Sequence, residues 1–491
     1  MVNKSSQKIF NNSLLYALGT VASKAVGFFL VPIYTYNMSS EEYGIATTII
    51  SFVSTFGIVV MLSLRAAMIR FYNEYDTEEK KRFIGTIVTG VLANALLIGS
   101  LLILFNQLYM PFLFKEVDFF PCVFWGVLSL CTEGIYLLYQ SLLQARQDGK
   151  NYSINSMIYL FFHAITVVVL VLLMKKGAEG MILANFLTNF CFAAYGIVSM
   201  YRKGYMVFCF DAGIMKRSLK YSLPILPHNM SNHLNTYAIK LIINHFLTYA
   251  ISGLYTLASQ FATIVNLVQS SVNLAFRPWF IEQMQNGEAG RRQIKEMSCM
   301  IMSLFSFCAV SVALFSKEIV FIMADPEYFD AWKMVPLFII TQLISFIYYS
   351  HVQTLMYNVK MSKFTVVCSF SGLVVNILLS LALVGTFNIY GILIGQIVSQ
   401  IVLSTIAVVM SNKAEHVDFG LKYMILYLLL AAGFMGCGIL LSMRGEGSLD
   451  IVSVFAKLVV WVIAFFVYIF HYRKEYVTLF GGMLHKKKKS L

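Results

Sequence analysis

Charge is scarce in this sequence. Only 12% of the 491 residues are Asp, Glu, Lys or Arg, against 58% hydrophobic, and the mean hydropathy is +0.73. That balance excludes a string of soluble domains and predicts an all-α polytopic membrane protein, because apolar runs of roughly 20 residues match the length a helix needs to cross a hydrocarbon core of about 30 Å. The alternation of outer-membrane strands is absent. Chemistry-bearing patterns are missing as well. The chain has no GxxxxGK[ST] phosphate loop, no HExxH and no paired aspartates that would hold a metal for a membrane glycosyltransferase, and its loops are too short for a soluble catalytic domain. These absences favour transport over catalysis, with no cofactor and no metal. The eight cysteines include no CxxC pair and fall mostly in apolar stretches, as reduced packing residues do.

Acids are fewer than bases, 24 against 37, for a net charge of +13. In a soluble protein this would suggest nucleic acid, but here the bases collect in alternate loops, and the expectation is no nucleic-acid partner. About fourteen spans are predicted, near 11–36, 44–64, 83–105, 117–143, 153–174, 180–201, 224–246, 251–276, 298–316, 333–356, 364–385, 388–410, 423–443 and 451–471. The first run follows Lys4 and Lys8 without a small-residue cleavage site and is too long for a signal segment, so it reads as a retained span. With both termini in the cytoplasm, roughly 28 of the 37 Lys and Arg fall inside, as the positive-inside rule requires.

Two longer connections, 202–223 and 277–297, stand out, and the first separates six spans from eight. Tyr43 and Arg65 bracket the second span with the same separation as Tyr255 and Arg277 bracket the eighth, and without a gap Thr47 lies over Ser259, Ser51 over Thr263 and Ser54 over Asn266. The predicted organisation is a six-helix lobe at 1–205, a second at 206–415, two further helices at 416–472 and a basic tail at 473–491.

Three spans carry polar faces. In Tyr221–Phe246, Asn229, His233, Thr236, Lys240 and Asn244 form one stripe at helical spacing. The first span repeats the pattern with Tyr16, Thr20 and Lys24, and the eighth with Ser259, Asn266, Asn273 and Arg277. Uncharged positions of this kind also serve as hydrogen-bonding contacts between helices, worth about 0.6 kcal/mol each on average. Lysines are different, since a charge at the bilayer centre costs about 2.5–3.5 kcal/mol even on lenient scales. Glu133 is the only mid-span carboxylate in the first eight spans and cannot neutralise both Lys24 and Lys240. A hydrated cationic cavity that attracts phosphate or a sugar acid is therefore expected, with Arg65 and Arg277 at its entrance or simply anchoring helix ends. His163, His228, His233, His245 and His351 are candidate proton carriers or neutral interhelical hydrogen bonders. Lys457, in the last span, reads as a packing residue, and the run Lys486–Lys489 as attraction to anionic membrane lipid.

The opening NNSLLYALGTVASKAVGFFLVPIYTYNMSSEEYGIATTIISF, the close of the second span in LRAAMIRFYNEYDTEEKKRF, and LKYSLPILPHNMSNHLNTYAIKLIINHF resemble bacterial polysaccharide repeat-unit flippases of the multidrug/oligosaccharidyl-lipid/polysaccharide exporter superfamily. The resemblance covers essentially the whole chain. It implies two six-helix lobes with pseudo-twofold symmetry and two added C-terminal helices. The implied activity is alternating-access transfer of undecaprenyl-diphosphate-linked glycan, of the O-antigen or capsule type, across the bacterial plasma membrane, with polysaccharide polymerase and export machinery as partners. It also implies that Lys24 and Lys240 are matching cationic positions facing one central cavity. Related peptidoglycan-precursor flippases place arginines there, so lysine is a departure that loses bidentate phosphate geometry. Two other readings compete: a cation-coupled multidrug exporter of the same superfamily, which should hold acids in its first lobe, and a membrane glycan polymerase or ligase, which needs a large outer loop.

Overall fold

The computed structural model describes residues 27–358, 360–444, 450–470 and 472. The regular structure among these residues is helical, without strands. In chain order the helices are α1 Val31–Asn37, α2 Ser40–Met61, α3 Leu64–Phe71, α4 Thr77–Leu104, α5 Asn106–Leu113, α6 Phe124–Ala145, α7 Gly149–Val167, α8 Gly177–Arg202, α9 Ala212–Ser222 and α10 Leu226–Phe246. They continue with α11 Tyr249–Gln285, α12 Gly287–Leu314, α13 Ser316–Met323, α14 Val335–Tyr357, α15 Phe364–Ala414, α16 Leu421–Met443 and α17 Ile451–Phe465.

Eleven described segments are long and apolar enough to cross a membrane. One of them, the 51-residue α15, bends at Asn388, whose φ of 51° leaves the helical range, so it supplies two crossings. The 21-residue α10 has the length of a crossing but too many polar residues to qualify by composition. With the first span, of which residues up to 26 lie outside the described residues, the chain has about fourteen. It is a multi-pass membrane protein. The α4 segment shows what this requires of a lipid-facing helix: its most apolar stretch has a mean hydropathy of 2.4, only 28% of it is buried, and Leu96, Leu97, Leu101 and Leu104 lie exposed.

Two expected connections take other forms. The stretch 277–297 is helical almost throughout, since α11 runs on past Arg277 to Gln285 and α12 starts at Gly287 after a break at Asn286. Sequence reasoning stopped the eighth span where its apolar residues stopped, but a helix that leaves the bilayer need not end there. The other stretch, 202–223, contains α9, started by Asp211, whose carboxylate accepts from the Gly213 and Ile214 amides at 2.8 and 3.0 Å. Pro224 lies in the short turn Leu223–Ile225 that leads into α10, and Pro227 occupies the first turn of α10, where a missing amide hydrogen leaves no bond unmade.

Packing divides the chain into two compact units, Met1–Thr256 with Ser380–Ile389, and Leu257–Leu379 with Tyr390–Leu491. The first takes in the expected lobe 1–205 and the helices that follow as far as Thr256. Within it α6 packs against α2, α3, α4 and α8, and α10 lies along α2. The start of α2 is fixed by a capping box: the Glu42 amide donates to the Ser39 hydroxyl at 3.2 Å, and Glu42 accepts from the Ser39 amide at 2.9 Å. Its end is a turn through Leu62 and Ser63, both with positive φ, that starts α3 on a new course. Gly44 lies so close to the start of α11 that a Cβ there would collide with the Tyr249 carbonyl, a close approach that small residues permit between membrane helices.

In the second unit, α12 packs against α14, α16 and α17. Lys457 on α17, fully buried, forms an ion pair with Glu318 on α13 at 2.6 Å, and Lys317 donates to the Ser442 carbonyl at 2.9 Å. Lys457 is thus more than an apolar filler: it joins the last helix to α13 through its charge.

Candidate functional site

A cavity of about 560 Å³ opens in the first unit between the α2–α3 turn, α6 and α10. The turn at Leu62–Ser63 places Arg65 on its wall, α6 contributes Glu133, and α10 contributes His228, Asn229, Asn232 and His233. A smaller cavity of about 230 Å³ adjoins it along α2 and α10, sharing Ser54, Asn232 and His233 and adding Thr236. The result is a polar groove with Arg65 and Glu133 at one end.

Arg65 is anchored by a single hydrogen bond, from Nε to the Ser141 hydroxyl at 2.9 Å. Its two terminal amino groups make no hydrogen bond among the described residues. A guanidinium held in this way keeps the pair of donors that grips a phosphate or carboxylate through two bonds. Glu133 makes neither a hydrogen bond nor an ion pair with another described residue. On α10, Asn229 donates to Ser63 at 3.3 Å, and Thr55 donates to the His233 carbonyl at 3.1 Å. These bonds tie the groove half of α10 to α2 and leave the His233 ring and the Thr236 side chain exposed.

One turn beyond Thr236 the stripe becomes a sealed seam. Lys240 is only 4% exposed, and its ammonium donates to the Thr47 carbonyl at 2.9 Å; Asn244 donates to the Thr48 hydroxyl at 3.0 Å. Lys240, expected on the cavity wall, is therefore packed between α10 and α2. The helical stripe predicted from sequence is real, but α2 covers its second half, something that periodicity along α10 alone does not reveal. Among the described residues Lys240 has no ion-pair partner.

The remaining candidates fall elsewhere. Tyr16, Thr20 and Lys24 lie outside the described residues. Ser259, Asn266, Asn273 and Arg277 all lie on the part of α11 that belongs to the second unit; Arg277 is exposed, Thr263 donates to the Ser259 carbonyl at 3.3 Å and Ser270 to the Asn266 side chain at 3.3 Å. Sequence reasoning noticed Glu133 as an isolated carboxylate without assigning it a site, placed His228 and Asn232 on the flank of the stripe with His228 a candidate proton carrier or neutral hydrogen bonder, and passed over Ser63. The proximity of Ser54 to α10 had no signal in the sequence, because it depends on which helices meet. Among the described residues no three His, Cys, Asp or Glu side chains gather as a metal would need.

Comparison with known proteins places this groove in context. A family model described as polysaccharide biosynthesis protein matches residues 9–284, more than half of the chain. The chain belongs to that family. It is 24% identical over 358 residues to Lsg locus protein 1 of Haemophilus influenzae, covering 72% of this chain and 86% of the relative. An uncharacterized membrane protein of the same organism is 22% identical over 357 residues, covering 72% and 85%. Among solved structures, the lipid II flippase MurJ in an inward closed conformation superposes with a TM-score of 0.71 at 15% identity, covering 94% of this chain and 99% of that one. The MATE multidrug transporter DinF-BH gives 0.60 at 13% identity, over 84% and 96%. At such identities the likeness is one of fold. The expected membership of the multidrug/oligosaccharidyl-lipid/polysaccharide exporter superfamily rests on the family match and this shared fold together.

Proposed function

We propose that this protein moves undecaprenyl-diphosphate-linked oligosaccharide repeat units from the cytoplasmic to the outer leaflet of the bacterial plasma membrane by alternating access, with both termini cytoplasmic and without catalysing a reaction. The observation that carries this reading is Arg65: a guanidinium on a cavity wall with two uncommitted donor groups, followed along the groove by Asn, Ser, Thr and His side chains. The first suits a diphosphate and the second sugar hydroxyls, while the prenyl tail stays in lipid. Lys240 and Asn244 then hold α10 on α2 at the closed end of the groove. Lys24, Arg277, Ser259, Asn266 and Asn273 remain candidates for contact with substrate in other states of the cycle. With the interior negative, outward movement of each negative charge gains about 2.3 kcal/mol per 100 mV, so membrane potential assists export.

Deleting the gene tests the reading. Repeat units on undecaprenyl diphosphate should accumulate on the cytoplasmic leaflet and surface polysaccharide should be lost; normal export would refute it. Glu133 favours one second reading, a cation-coupled multidrug exporter, since a lone carboxylate in a cavity also suits a cationic compound. Under that reading rhodamine efflux would require Glu133, and export of lipid-linked glycan would not require the protein.

A further inference from the structure

Glu133 is an ionisable group that the proposed function leaves without a role. It faces the cavity from α6 with no hydrogen bond or ion pair among the described residues, in a segment long and apolar enough to lie within a membrane. The ionisable groups around it are few. Arg65 from α3 is the charged group that acts on it, Tyr159 of α7 stands near it, and His228 and His233 of α10 share its cavity. Residues of α2 on the same wall, Ser54, Gly57, Ile58 and Met61, are not ionisable, and α4 and α8 contribute none to the wall.

We infer that Glu133 is the internal counter-anion of Arg65, and that a diphosphate entering the cavity takes its place and drives one proton from the surrounding water onto the Glu133 carboxylate. The inference rests on the proposed substrate. Its physical basis is that an intramembrane charge needs a partner, and that two anions sharing one cation cannot both stay ionised cheaply. A fixed carboxylate facing Arg65 competes with every incoming anion. When the head group takes the guanidinium, Glu133 loses its counter-charge and gains a like-charged neighbour, both of which favour its protonated form. Proton uptake on binding means that affinity rises as pH falls. The residue would thus set anion affinity and link loading of the cavity to the proton.

The test uses the full chain in lipid nanodiscs with undecaprenyl diphosphate as the probe, its dissociation constant followed from pH 5 to 9. Wild type should bind more tightly at low pH, by up to about tenfold per pH unit, the limit for one linked proton. Glu133→Gln should bind at high pH as tightly as wild type does at low pH and lose the difference; ionisation of the probe and of His228 and His233 is common to both proteins. Wild-type pH dependence retained in Glu133→Gln, or weaker binding in it at every pH, would overturn the inference. Should that variant fail to fold, proton uptake by wild type in weak buffer decides: close to one proton beyond what the probe itself takes up supports the inference, and none refutes it. If Arg65→Gln abolishes binding while Glu133→Gln behaves as wild type, the flippase reading survives and this inference falls. If wild type does not bind the probe, the substrate assignment itself falls first.

Discussion

Each compact unit buries charge, and the two do so in opposite ways. In the second, Lys457 and Glu318 meet at 2.6 Å with Lys457 wholly out of reach of solvent. In the first, Arg65 and Glu133 share a cavity wall without forming an ion pair, and Arg65 turns its bonding to Ser141 instead. A closed pair has met its charge within the protein and, with its lysine out of reach of solvent, offers a ligand little. An open pair has not, and its unspent donors and acceptors are what a polar substrate would use. The contrast predicts that charge removal costs stability in the second unit and function in the first.

The largest effect is expected at Glu318. Its loss in Glu318→Ala leaves Lys457 buried and unpaired, and removing one partner of a buried pair costs about 3–5 kcal/mol. Thermal unfolding in detergent should show a clear drop, with glycan export per folded molecule unchanged. Replacing both partners, as in Glu318→Leu with Lys457→Met, should restore most of the stability, since a buried pair exchanged for apolar side chains is often neutral. If the double variant remains as unstable as the single one, or if either loses export while folded, the closed pair is more than structural.

Arg65→Gln comes next and should reverse the pattern. A hydrogen bond to a charged group contributes about 1.5–3 kcal/mol, so binding of undecaprenyl diphosphate should weaken by roughly ten- to a hundredfold. Unfolding should move little, because among the described residues Arg65 gives up one hydrogen bond, to Ser141. A variant that binds normally yet unfolds early would put Arg65 in the same class as Lys457 and end the contrast.

Much of the fold is legible in the sequence. Crossing segments follow from apolar length, and the stripe Asn229, His233, Thr236, Lys240, Asn244 follows from helical spacing, as the structure bears out. What spacing cannot supply is the neighbour. The same stripe borders the groove at Thr236 and is covered by α2 at Lys240, whose ammonium reaches the Thr47 carbonyl. The length of α11 was missed for a related reason: hydropathy reports the bilayer, whereas hydrogen bonding decides where a helix stops. Glu133 was visible as a lone acid, but its relation to Arg65 depends on α6 packing against α3, which no local pattern encodes.

Lys240 gives the finest test, because it belongs to neither class. It is buried like Lys457 and lacks an ion-pair partner like Arg65, with one carbonyl as its described acceptor. Lys240→Met keeps the length of the stem and removes the charge. If the lysine only closes the seam, the variant loses one hydrogen bond and gains relief from a desolvated charge, two terms of about 1 kcal/mol or more that oppose each other, so stability should change by less than about 1 kcal/mol and export should persist. If unpaired burial instead marks a charge held for the substrate in another state of the cycle, stability should hold or rise while export falls. Measured on the same preparation, unfolding and export together separate these outcomes. A fall in export without loss of stability would place Lys240 beside Arg65, and would mean that α10 must part from α2 near Thr47 for the charge to be used.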